Sequence, residues 1–218
     1  MSTKTKSNQE SVSGIWNVQF KIVGNTGLCW GRKAPETRRD DESHEAYDER
    51  TVLSRVRLDD DGNCALSAEG IKKAILVGAT RLNIKVPGGG GKATFKARLM
   101  AALLMTRDGF TVYRKGKPVV LDDLTVEAFL VPSDPSKPKG GRVTRRFPKL
   151  YGSWEANCDY MLTDEMISED ILIKHIRAAG VFDGIGTFRV GTGHSHGLFA
   201  LAGDAAGEPQ ISITPLAM

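Results

Sequence analysis

The chain has 218 residues, with 30 lysines and arginines against 26 aspartates and glutamates and a formal net charge of +4. Its composition, 40% hydrophobic and 26% charged, is that of an ordinary globular protein, and it is long enough to bury a core. No apolar run reaches the ~18 residues that span a bilayer. Met1–Glu10 lacks a signal-peptide core, and Cys29, Cys64 and Cys158 form no CxxC pair. The expectation is a cytoplasmic chain with no membrane partner, no metal and no cofactor.

Residues 1–13 read as a flexible arm. In "IWNVQFKIV", Val18, Phe20 and Ile22 alternate with Asn17, Gln19 and Lys21, the period of a half-buried strand. Residues 24–50 are polar and irregular and predict a long excursion, built as a mobile hairpin. "TVLSRVRL" (51–58) is a second strand candidate, closed by the turn "DDDGN". Ser67 can cap a helix over about 68–82, with Glu69 in its first turn and Ile71, Ala74, Ile75 and Leu82 at helical spacing.

"GGGGK" (88–92) is not a phosphate-binding P-loop. Val86 stands where the first glycine belongs, and Ala93 follows Lys92 where a hydroxyl is needed. "TFKARLMAALLM" fits a short helix or a buried strand, and "GFTVYRKGKPVVL" a hairpin. Residues 131–149 read as a Pro/Gly/Lys/Arg linker or second mobile loop. It holds Lys137, Lys139, Arg142, Arg145, Arg146 and Lys149. With Arg32, Lys33, Arg38 and Arg39, this makes two basic clusters in loop-forming sequence, a pattern suited to a phosphate backbone.

"SWEANCDYML" alternates cleanly as a strand. Ser168 caps a helix that Gly180 is expected to end in a left-handed cap. "IGTFRV" and "GLFALA" then flank a glycine-rich stretch, predicting a hairpin over 184–202. With the inserts removed, a βαββαβ plan remains. The expected fold class is therefore α+β, with a ferredoxin-like, RRM-like core, a long thumb-like β excursion (24–50) and irregular β-rich inserts (86–150). The RNP aromatic motif of RNA-recognition modules is absent.

"LSAEGIKKAILVGATRL" and "GIGTFRVGTGHSHGLFAL" together resemble the first-helix region and the C-terminal glycine-rich loop of the RAMP superfamily of CRISPR-associated proteins. "ISEDILIKHIRAAG" lies where that family's second helix belongs. The resemblance implies a single domain over 14–218. It most resembles the backbone subunit that polymerises head to tail on guide RNA, with excursion 24–50 in the place of that subunit's thumb. The implied partners are guide RNA, complementary target nucleic acid, further copies of the chain, other effector subunits, and a helicase or nuclease recruited in trans. The family's thumb aspartate would fall on Asp40 or Asp41.

The expected RNA contacts are Arg189, the amides of Gly191 and Gly193, His194, His196, Arg142, Arg145, Arg146, Arg32, Lys33, Arg38 and Arg39. Trp30 and Tyr47 are placed to wedge against bases, and Trp16 and Trp154 in the core. Glycine lets backbone N–H groups approach phosphates, and Arg189 adds a charged donor. His44, among acidic neighbours, reads as solvated, and His175 as a surface or interface residue. No catalytic residue is expected. Two other readings stay open: a metal-independent ribonuclease using His194 or His196, and a phage single-strand DNA-binding or annealing protein. Compact phage-encoded relatives of the superfamily fit the same motifs.

Overall fold

The structure is a computed structural model that describes residues 14–133 and 141–216. The arm 1–13 and the basic residues Lys137 and Lys139 lie outside the described residues.

In chain order the elements are β1 (Trp16–Gly24), β2 (Leu28–Cys29), α1 (His44–Thr51), β3 (Arg57–Leu58), β4 (Cys64–Ser67), α2 (Ala68–Leu82), α3 (Phe95–Ala102) and β5 (Leu103–Met105). They continue with β6 (Gly109–Arg114), β7 (Lys117–Pro118), β8 (Thr125–Pro132), β9 (Arg142–Leu150), β10 (Glu155–Leu162), α4 (Glu169–Phe182), β11 (Phe199–Leu201) and β12 (Ile211–Pro215).

The main sheet runs β11–β1–β10–β6–β4–β3, with β12 beside β11 on β1 and β5 beside β6 on β10. Every pairing in it is antiparallel. Reduced to β1, α2, β5/β6, β10, α4 and β11/β12, this is the ferredoxin-like βαββαβ order: the last strand, then the first, the third and the second. The fold is α+β. A separate three-stranded antiparallel sheet, β2–β9–β8, stands beside it.

The alternation read from the sequence is what buries the core. In β1, Val18, Phe20 and Ile22 point inward; in β10, Ala156, Cys158, Tyr160 and Leu162 do, with Trp154 just before it. The Phe20 ring lies parallel to Tyr160 at 5.9 Å, and Phe110 tilts against Tyr160 at 5.4 Å. The Tyr160 hydroxyl donates to Ala68 O at 2.8 Å, so its one polar atom is satisfied in the core. Each such ring contributes about 1.5–3 kcal/mol of burial.

Ser67 and Ser168 both cap as their sequences predict: the hydroxyls accept from Gly70 N and Ile171 N. Helices α2 and α4 lie side by side on one face of the sheet. Gly78 permits the approach, since a Cβ there would sit 2.7 Å from Ala179 N and 2.8 Å from His175 O.

Five expectations are corrected. The excursion 24–50 is not a hairpin: after the two residues of β2 it runs irregularly and ends in α1. Its polar side chains close local contacts instead, with Glu42 accepting from Arg50 and the Arg39 amide while Arg38 donates to Glu42 O. "TVLSRVRL" supplies the end of α1, a 3-10 turn and only the two strand residues of β3. The described residues of the stretch 131–149 do not form a linker or mobile loop: Val131 and Pro132 belong to β8. From Arg142 onward the stretch is β9, paired with β8 over eight residues from Thr125↔Lys149 to Pro132↔Arg142.

Gly180 does not cap α4, which continues to Phe182. It is glycine because a Cβ would collide with Phe199 O on β11. Finally, 184–202 is not a hairpin. Only β11 is a strand there, and Arg189↔His196 is a single isolated bridge.

Candidate nucleic-acid interface

Four chain segments converge on a cleft of about 310 Å³. One wall is the start of α2, with Ser67, Gly70 and Lys73. Opposite it runs the glycine-rich segment Gly184–Thr187 with Arg189. Gly31 and Arg32, just past β2, and Arg55 and Arg57, before and within β3, complete it. Among the described residues, five cationic side chains line the cleft and no carboxylate does. The two sequence stretches that carry the family resemblance, over 100 residues apart in the chain, thus form facing walls.

The local geometry explains how the cations are held. Arg32 donates from Nε and Nη2 to Ser54 O at 3.3 and 3.2 Å, which orients it without neutralising it. Arg189 bonds Asp183 Oδ1 through Nε at 3.2 Å and Gly186 O through Nη1 at 3.3 Å. Lys73 pairs with Glu69 at 2.6 Å, but both are exposed, so water screens the pair. Arg57 has no ion-pair partner among the described residues. Arg55 is buried and paired with Asp48 at 2.5 Å.

The glycines of the C-terminal loop serve the loop's own packing. A Cβ at Gly186 would sit 2.5 Å from Cys29 O, and one at Gly197 would collide with Ile185 O. The loop is stitched to β2 by Thr187 N→Cys29 O at 2.7 Å and to the turn before it by Gly197 N→Gly27 O at 2.9 Å. The expected phosphate-holding amides of Gly191 and Gly193 are corrected on this ground. They already donate to Asp183 O and Val190 O, at 3.1 and 2.9 Å.

Between its glycines the loop carries Phe188 at φ +59, a conformation that bulky residues rarely adopt. The ring is held by a small aromatic cluster, stacked on Phe129 at 4.4 Å and edge-on to Phe147 at 4.8 Å. His194 lies edge-on to Phe188 at 4.9 Å and stays exposed, whereas His196 is half-buried against Phe129 and Phe188. Burial, with Lys149 nearby, pushes the His196 pKa below its ordinary value. Neither histidine has a carboxylate hydrogen-bond partner among the described residues.

Trp30 cannot wedge between bases. Its ring is 6% exposed and its Nε1 donates to Ala65 O at 3.0 Å. Tyr47 is half-buried and donates to Glu36 O at 2.8 Å. Lys33, Arg38 and Arg39 are exposed on the irregular segment away from the cleft lining, as are Asp40 and Asp41. Arg142, Arg145 and Arg146 lie on β9, outside the cleft. His175 is fully buried rather than on the surface: its Nδ1 donates to Ile171 O at 2.6 Å, and burial lowers its pKa. Burial pushes the Cys29 thiol beneath the loop up to about 12, which keeps it an inert neutral thiol.

Sequence reasoning missed Arg55, Arg57 and Lys73. The signal was present in "SRVRL", where two arginines flank the buried Val56; reading the stretch as an ordinary strand hid it.

No protein-family model and no curated protein matches the chain. Among solved structures, it is similar to Cmr6 from Pyrococcus furiosus at 11% identity and a TM-score of 0.45, covering 85% of this chain and 98% of that one. It is also similar to a chain of the Type III-B Cmr-beta complex bound to cognate target RNA, at 13% identity and a TM-score of 0.40, covering 93% of this chain and 61% of that one.

Proposed function

We propose that the chain is a single-strand RNA-binding subunit of a CRISPR ribonucleoprotein, holding guide RNA for pairing with a target and assembling head to tail with its own copies. The observation that supports this reading is the cleft between α2 and the glycine-rich loop, lined among the described residues by five cationic side chains and no carboxylate. Cations grouped in a concave surface hold the sugar-phosphate backbone irrespective of sequence, and base pairing then supplies specificity. In this reading the chain binds RNA without cutting it.

The test is anisotropy with a ~30-nucleotide RNA over a salt series. Arg57→Ala and Lys73→Ala should each weaken binding several-fold and reduce the salt slope by about 0.7, the value for one single-strand phosphate contact. The same DNA sequence run in parallel distinguishes RNA from DNA. Unchanged binding and slope in both variants would refute the assignment of the cleft. Co-expression with a repeat-spacer RNA tests assembly: a large particle carrying nucleic acid is expected, and a clean monomer contradicts it.

A further inference from the structure

On the far side of Arg55 a second groove, of about 530 Å³, opens between α1 and β9. Arg55 lines both cavities and so forms the wall they share. That wall is rigid. Arg55 Nη2 pairs with Asp48 Oδ1 at 2.5 Å, Arg55 Nη1 donates to Arg146 O at 3.1 Å, and Arg146 N donates to Asp48 Oδ2 at 2.6 Å. A buried ion pair with both partners also bonded to backbone fixes α1 against β9 and sets the groove's width.

The lining differs in kind from that of the first cleft. Its lining residues include Tyr47, Arg145 and Arg146, with the exposed carboxylate of Glu45 and the buried one of Asp48. A carboxylate repels phosphate but accepts hydrogen bonds from the amino groups of bases, while tyrosine and arginine planes stack on base faces. We infer that the α1–β9 groove is a nucleobase site, filled by the same single strand after it leaves the basic cleft past Arg55. This rests on the RNA-binding reading above. It adds that one chain holds consecutive nucleotides in two chemically different sites, phosphates in the first and a base in the second.

Strand length separates the two claims. Oligouridines of about 4 and about 16 nucleotides bracket the site sizes common for single-strand binders. Wild type should bind the longer strand more tightly than added phosphates alone explain, as read from its salt slope. Tyr47→Leu and Arg145→Ala should cut affinity for the longer strand about tenfold and leave the shorter strand unchanged. Tyr47→Phe keeps the ring and should bind like wild type, and circular dichroism checks that each variant is folded. Arg57→Ala should weaken both lengths.

Equal binding of the longer strand by wild type, Tyr47→Leu and Arg145→Ala overturns the base site and leaves the cleft standing. Losses of the same size on both lengths also overturn it, because Tyr47 would then belong to the first site. If Arg57→Ala and Lys73→Ala change neither length, the cleft reading fails and this inference fails with it.

Discussion

Two glycine-rich stretches of this chain look alike as sequence and differ in the fold at most of their glycines, the exceptions being Gly89, whose Cβ would sit 2.8 Å from the Ala93 side chain, and Gly193, which faces open space. At Gly88, Gly90 and Gly91 an added Cβ would meet nothing within 4 Å. At Gly184, Gly186, Gly191 and Gly197 it would strike protein atoms at or inside 3.0 Å. The first run is a solvent turn between α2 and α3. The second is a crossing point, where the chain passes against β2, against Asp183 and against itself before entering β11. Glycine density reports a need for bare backbone; only the neighbours show whether that backbone meets solvent, ligand or protein.

The largest effect is expected from Gly197→Ala. Its Cβ would collide with Ile185 O at a residue whose φ is +68. Overpacking and left-handed strain together should cost about 3 kcal/mol or more, lowering Tm by roughly 10 °C in a chain of this size. Thermal denaturation within a degree or two of wild type would show the crossing to be slack. Gly191→Ala should cost less, about 1–2 kcal/mol, because the obstacle is the Asp183 carboxylate, which can move. Moving it releases Arg189, so RNA affinity should change with the net charge unaltered.

A third effect is acid-dependent. His175, on the helix that leads into the crossing, is buried, and its pKa lies below the ordinary 6.5. The folded state therefore resists protonation that the unfolded state accepts. Stability from this source is whole above pH 6.5 and declines as pH falls below it towards the depressed folded value. Tm should fall between neutral pH and about pH 5, and His175→Leu should flatten that dependence; an equal slope in the variant would assign the effect elsewhere. The solvent turn supplies the smallest effects. Gly88→Ala, at φ +72, should cost about 1 kcal/mol from backbone strain alone. Gly91→Ala, with open space and no positive φ, should be neutral or stabilising by about 0.5 kcal/mol.

Legibility followed the range of the physics. β1, β10, α2 and α4 were readable because alternation, helical spacing and a capping serine are local signals, and the βαββαβ order follows from them. Of the cations that line the cleft, Arg32 and Arg189 were singled out from the sequence. Trp30 was misread because an indole in a polar stretch gives no local sign of Ala65 O, its partner 35 residues away. β8 and β9 were missed because Arg142, Arg145 and Arg146 imitate a linker; their strand is fixed by register with Thr125–Pro132 and by the Asp48–Arg146 bond.

What the sequence determined alone is the set of elements that bury their own periodic faces, together with the overall excess of positive charge. Packing settles which cations share a cleft, which glycines meet protein and which aromatic rings are closed off. These depend on contacts between residues dozens to more than a hundred positions apart. Such contacts leave no period in the sequence, because each is set by the shape of a partner that exists only once the sheet and its two helices have packed.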